Sequence, residues 1–178
     1  MTDAALVALP VGIPWLTAVL VAFLDGRKRW VGWLAAAGLA EGLASLALLT
    51  AATLRRGTLT TTAGGWPVDV GITLRADALG VTFATVSVVV ILAALVYEVF
   101  LGVSWRAFPA LAAAGICGLC LTGDAFNFYV FFEISMTASF VLAGYREEDY
   151  QVRAAFVFAV LPCVTVLTAW AWEMRHAR

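Results

Sequence analysis

Long apolar runs separated by short polar clusters set the layout of this chain. The runs cover residues 4–24, 31–54, 79–103, 108–121, 126–145 and 152–172. The charges gather between them, at 25–29, 55–56, 69–77, 146–153 and 173–178. A bilayer core of roughly 30 Å takes about 20 apolar residues of helix to cross. Most of the runs reach that length, so the pattern predicts about six transmembrane helices. Helix is preferred over strand because lipid leaves unpaired backbone groups unsatisfied. A membrane barrel would instead show alternating segments of about 10 residues. The predicted fold class is an all-α polytopic membrane protein, with 1–178 as one transmembrane domain.

The segment 55–78 is the one long polar connection and reads as an extramembrane loop. Threonine-rich and Gly-Gly turn signals precede "VDVGITLRAD", whose partial alternation suggests a short hairpin. Trp15, Trp30, Trp33, Trp66, Trp105, Trp170 and Trp172 mostly fall near the proposed helix ends, where interfacial aromatics belong. Ala35-Ala36-Ala37-Gly38 and Ala112-Ala113-Ala114-Gly115 would let helix backbones approach closely. Pro10, Pro14 and Pro162 read as kinks that neighbouring helices tolerate.

Composition agrees with the pattern. Of 178 residues, 63% are hydrophobic and 13% charged, with a net charge of −1, whereas ordinary soluble domains carry about 25% charged residues. No basic face for nucleic acid follows from this balance. The first run has no preceding Lys or Arg and exceeds the about 7–15 residues of a signal-peptide core, so it is expected to be a retained helix. The loops at 25–30, 104–107 and 146–151, with Arg153, hold six Lys and Arg; the other side holds five. The positive-inside rule then places Arg27, Lys28 and Arg29 in the cytoplasm and the N-terminus outside.

Candidate chemistry is sparse. Cys117, Cys120 and Cys163 sit in apolar stretches and read as small packing residues. The Cys-Gly-Leu-Cys spacing lacks a nearby His or third Cys for a metal. No cofactor is expected, since no Gly-x-Gly-x-x-Gly turn or cysteine quartet is present. His176 reads as a solvated tail residue. The acids inside the runs are more informative. Glu98 lies near the end of its run and can reach the headgroups beside Trp105 and Arg106.

Glu41 and Glu133 lie well inside their runs. Glu41 has Ala37, Gly38, Ala44 and Ser45 at helical spacings of three and four, a small-residue face. That face fits either a packing seam or a secondary proton site. Glu133 has Tyr129 one turn before it and Thr137 one turn after, so three polar groups share a helix face. Asn127, Ser135 and Ser139 add polar groups elsewhere on that helix. A carboxylate at mid-bilayer costs about 2.5–3.5 kcal/mol on insertion scales. Hydrocarbon favours the neutral acid, and a cation or water chain is needed to support the ionised form. A group for which both forms are reachable is what a proton relay requires. The only lysine, Lys28, lies in a loop, so no cation within the other runs supplies that support.

Two stretches carry a family resemblance. "LTGDAFNFYVFFEISMTASFVLAGY", residues 121–145, resembles the fifth-helix signature of Mrp-type sodium/proton antiporter subunits, those of the D type above all. "GGWPVDVGITLRADAL", residues 64–79, is similar to the segment before the third helix in that family. These proteins are relatives of the antiporter-like membrane-arm subunits of NADH–quinone oxidoreductase. The resemblance runs from roughly the first helix to Tyr150.

It implies the N-terminal part of a fold of about fourteen helices with inverted repeats. It also implies that Glu133 is the fifth-helix glutamate of a proton pathway, paired with a lysine on a broken seventh helix. Both termini of the family lie on the outer side. The implied partners are other antiporter subunits, protons, sodium and the bilayer of the cell membrane. The implied activity is cation/proton antiport by a transporter subunit without catalytic chemistry of its own. The alternatives are a membrane-arm subunit of an NADH–quinone oxidoreductase-like complex and a non-transporting assembly subunit. Because the chain ends after the sixth run, the seventh-helix and eighth-helix lysines and the second repeat are expected elsewhere, in a truncated, frameshifted or split subunit.

Overall fold

The structure is a computed structural model that describes residues 2–26, 28–62, 71–102, 108–144, 148–160 and 175. Its helices are α1 (Asp3–Ala22), α2 (Arg29–Arg56), α3 (Ala78–Leu101), α4 (Phe108–Cys120) and α5 (Ala125–Ala143); a hairpin of β1 (Leu59–Thr62) and β2 (Thr73–Ala76) stands between α2 and α3. The chain is helical again over 149–160. The first five runs start and stop within a few residues of α1–α5. Much of the sixth run, with Pro162 and Cys163, lies outside the described residues, as do Trp66, Trp105, Trp170, Trp172 and His176. α1, α2, α3 and α5 are each long and apolar enough to cross a membrane. The chain is a multi-pass membrane protein.

α4 is the centre of the bundle, packed against α1, α3 and α5, while α2 packs against α1 and α3. Its 13 residues make about 20 Å of helix, less than a bilayer core. Its alanines and glycines explain its place, since small side chains admit neighbours on every face. Ala110, Ala113, Ala114 and Cys117 are fully buried there. The α4–α5 contact is the closest. A Cβ on Gly115 would stand 2.7 Å from the backbone N of Ser135 and 2.9 Å from its Cα, so only glycine fits.

α1 and α2 meet through the same device. Gly38 faces the Thr17 side chain without room for a Cβ, and a Cβ on Gly42 would lie 3.2 Å from Pro14. Pro10 and Pro14 are both buried inside α1, supported by this neighbour.

The hairpin closes one end of the bundle. Its antiparallel register pairs Leu59 with Ala76, Thr60 with Arg75, Thr61 with Leu74 and Thr62 with Thr73. Alternation along each strand turns Leu59, Leu74 and Ala76 inward, onto Leu6, Val7, Leu49, Val81 and Leu121. Of the hairpin expected within 68–77, residues 68–70 lie outside the described residues. β2 falls in the rest of that stretch, and its partner is the threonine run, which reads in sequence as a turn signal. β-branched threonines suit a strand when a neighbouring strand and an apolar surface are available. At the same end, the exposed Arg56 and Asp3 side chains pair at 2.7 Å.

α3 is capped at both ends. The Asp77 carboxylate accepts the Gly80 N–H at 2.8 Å. Gly102 takes the left-handed conformation at φ 71° that ends the helix.

Candidate functional site

α5 carries the stretch that the sequence singles out, and its start is held unusually firmly. Asp124 is the N-cap: Oδ1 accepts the Asn127 N–H at 2.6 Å. Oδ2 accepts the Thr73 N–H at 3.0 Å. The turn before α5 is also bonded to β2. Gly123 donates its N–H to the Thr73 carbonyl at 2.8 Å, and Arg75 donates to the Leu121 carbonyl at 2.7 Å. The Thr122 hydroxyl donates to the Asp124 carbonyl at 3.1 Å. The hairpin thus fixes where α5 begins. The signal was present in the sequence, an Asp directly before an apolar helical run, but nothing local indicated its second partner 51 residues away.

From that cap, α5 turns two different faces to its surroundings. Asn127, Ser135, Met136 and Ala138 are buried, on the side that meets α4. The Ser135 and Ser139 hydroxyls are spent on carbonyls of their own helix, donating to Phe132 at 2.9 Å and to Ser135 at 2.7 Å. Asn127 is 2% exposed, and its side-chain amide nitrogen has no partner among the described residues.

The other face is open and carries Tyr129, Glu133 and Thr137, all exposed. Helical spacing stacks the three one turn apart. Glu133 stands eight residues after Ala125 and ten before Ala143, about 12 Å and about 15 Å along the axis from the two ends. A glutamate side chain is shorter than either distance, so it does not reach the level of either helix end. Among the described residues no hydrogen bond or ion pair engages its carboxyl. Beside it, Phe128 stacks with Phe132, ring centroids 6.4 Å apart, and meets Tyr129 edge to face at 5.9 Å.

Glu41 is placed elsewhere. It is exposed on α2, which packs against α1 and α3, so it does not join the α5 group. Of the small residues expected to share its face, Ala37 and Ala44 do, while Gly38 and Ser45 turn toward the interior. Glu98 is half-buried near the end of α3; Trp105 and Arg106, its expected surroundings, lie outside the described residues. Cys117 is buried and Cys120 half-buried, both as free thiols. Among the described residues no group of three or more His, Cys, Asp or Glu is placed to hold a metal.

No family model matches the chain. A protein of Staphylococcus epidermidis that carries the name antiporter subunit mnhD2 is 31% identical over 172 residues, which are 93% of this chain and 34% of that protein. Its namesake in Staphylococcus aureus is 29% identical over 171 residues, with the same coverage of 93% and 34%. The chain spans about a third of the length of these curated relatives. Among solved structures, a chain of the Mrp complex from Dietzia sp. DQ12-45-1b superposes with a TM-score of 0.73 at 27% identity, over 80% of this chain and 28% of that one. A chain of an archaeal membrane-bound sulfane sulfur reductase shares the fold, with a TM-score of 0.72 at 20% identity over 99% of this chain and 28% of that one.

Proposed function

We propose, from the premise that this chain is 31% identical along 93% of its length to an antiporter subunit mnhD2, that it supplies the proton-binding acid of a cation/proton antiporter. Glu133 is that acid. Tyr129 and Thr137, one turn away on each side, offer hydroxyls that can donate to its carboxylate or pass a proton along the helix face. The observation that supports this most is the open polar face itself. A carboxyl at this depth, without a partner among the described residues, needs a protein surface or a water chain against it.

The proton cycle has simple requirements. The neutral acid is tolerated in a low-dielectric site. Approach of a cation favours ionisation and releases the proton. The resemblance supplies such a cation as a lysine of a later helix, outside this sequence. Sodium is the proposed counter-ion, and other subunits of the complex the proposed partners. The site sits in the cell membrane, with the hairpin and the α1 N-terminus on the outer side.

The test is Glu133→Gln in the intact antiporter complex, reconstituted in vesicles. The amide keeps the shape and loses the exchangeable proton. Sodium-driven proton flux is expected to vanish, with insertion and assembly unchanged. Full flux in that variant would remove Glu133 from the pathway. Glu133→Leu separates an assembly role, because that role predicts a weakened complex with the residual flux per assembled complex intact.

A further inference from the structure

Two glycines of α4 face α5 on either side of the level of Glu133. A Cβ on Gly115 would stand 2.7 Å from the Ser135 backbone N, and one on Gly118 would run into the ring of Phe131. Phe131 and Ser135 lie two residues before and two after Glu133. At about 100° per residue, each is about 160° around the helix from the glutamate. The two contacts therefore hold the back of α5 and turn Glu133 directly away from α4. α4 itself is a fixed reference. Gly115 and Gly118 are buried, and Ala110, Ala113 and Cys117 lock another side of α4 into the core shared with α1, α2 and α3. α3 also closes on its end, where a Cβ on Gly80 would meet the Cys120 carbonyl. The bonds of Asp124 do not duplicate this hold. They fix the start of α5, whereas the glycine contacts fix its rotation where the acid stands.

We infer that Gly115 and Gly118 are positioning residues for Glu133. Their missing side chains set the closeness and the rotation of α5, and so the direction and distance at which the carboxyl meets its cationic partner. The inference rests on the proton-binding role proposed for Glu133. Proton transfer needs heavy atoms within about 2.6–3.2 Å of each other, and a misplacement of about 1 Å can cost about a hundredfold in rate. Alanine at 115 forces such a movement, because the backbone against it has nowhere to turn. Alanine at 118 meets a ring that can swing aside, so its effect is smaller.

The experiment measures sodium-driven proton flux per assembled complex, with the intact antiporter complex in vesicles. Gly115→Ala is expected to lower it about tenfold or more, and Gly118→Ala about threefold. Phe131→Leu withdraws the ring from Gly118. The double variant is therefore expected to lose less flux relative to Phe131→Leu than Gly118→Ala loses by itself, since contacting residues are not additive. A purely structural role predicts less complex with unchanged flux per complex. That result, or additive losses at 118 and 131, would overturn the inference. Where Gly115→Ala fails to assemble, the pair at 118 and 131 decides. Glu133→Gln is measured alongside. Full flux there would remove Glu133 from the pathway and the positioning role with it, whereas lost flux there with normal flux in both glycine variants would overturn the positioning alone.

Discussion

Both oxygens of the Asp124 carboxylate are committed, one to the first turn of its own helix and one to the hairpin. The residue therefore sets the depth at which α5 starts, and with it the depth of Glu133 nine positions later. Asp124→Ala removes the cap and is expected to lower stability by about 1–2 kcal/mol. Asp124→Asn should cost less, since its amide oxygen still accepts one N–H. Thermal unfolding in detergent measures the difference, and faster hydrogen exchange at the Asn127 amide would locate it. At Glu133 the flanking hydroxyls are the next variable. Tyr129→Phe and Thr137→Val are each expected to slow proton flux by about three- to tenfold, in the range of one lost hydrogen bond. Flux equal to that of the unsubstituted complex in both would confine the chemistry to the carboxyl alone. Glu133 was legible in the sequence because a charge in an apolar run is conspicuous. Its stacking with Tyr129 and Thr137 was legible too, but not which side α4 would cover, because Asn127, Ser135 and Ser139 make other sides of α5 polar as well and these are the ones that are buried or half-buried.

At the scale of elements, glycine placement decides which helices touch. Gly115 has the Ser135 backbone against it, whereas a Cβ on Gly12 would meet nothing within 4 Å. Gly115→Leu is thus expected to separate α4 from α5 and destabilise the bundle by more than about 1–3 kcal/mol, the usual cost of overpacking. Gly12→Ala should be neutral or slightly stabilising, since alanine favours helix by about 1 kcal/mol over glycine. The yield of folded protein after a detergent heat challenge compares the two. The hairpin shows the opposite dependence. Leu59–Thr62 has no signal separating it from a turn-rich linker until Leu74 and the tops of α1 and α2 provide a surface. Four-residue strands are set by what they pair with, whereas helices of twenty residues announce themselves by apolar length.

Over the whole molecule, the open sides of α1, α3 and α5 carry large apolar groups such as Leu20, Val90 and Phe126. Such a surface is compatible with lipid and not with water. The connections then define two sides. Lys28 at the α1–α2 turn lies on one, and Thr60 in the hairpin on the other. With the N-terminus outside, Thr60→Cys is expected to react with a membrane-impermeant maleimide in intact cells, and Lys28→Cys only after the cells are opened. The reverse pattern would invert the orientation. The Lys and Arg counts bias this choice only slightly, six against five, so the labelling result carries more weight than the rule.

What the sequence determined by itself is the membrane solvent, the helices and the presence of two misplaced acids. Each of these depends on local composition, because the cost of exposing backbone or charge to hydrocarbon acts on every segment independently. What only the tertiary structure decided is which side of each helix is covered. Gly38, Gly42 and Ser45 of α2 turn inward while Ala37, Glu41 and Ala44 stay outside. Both faces are small, so shape complementarity with Thr17 and Pro14 makes the selection. The same holds for Asp124 and Thr73, distant in sequence, whose bond exists only once the hairpin has folded over the helix ends.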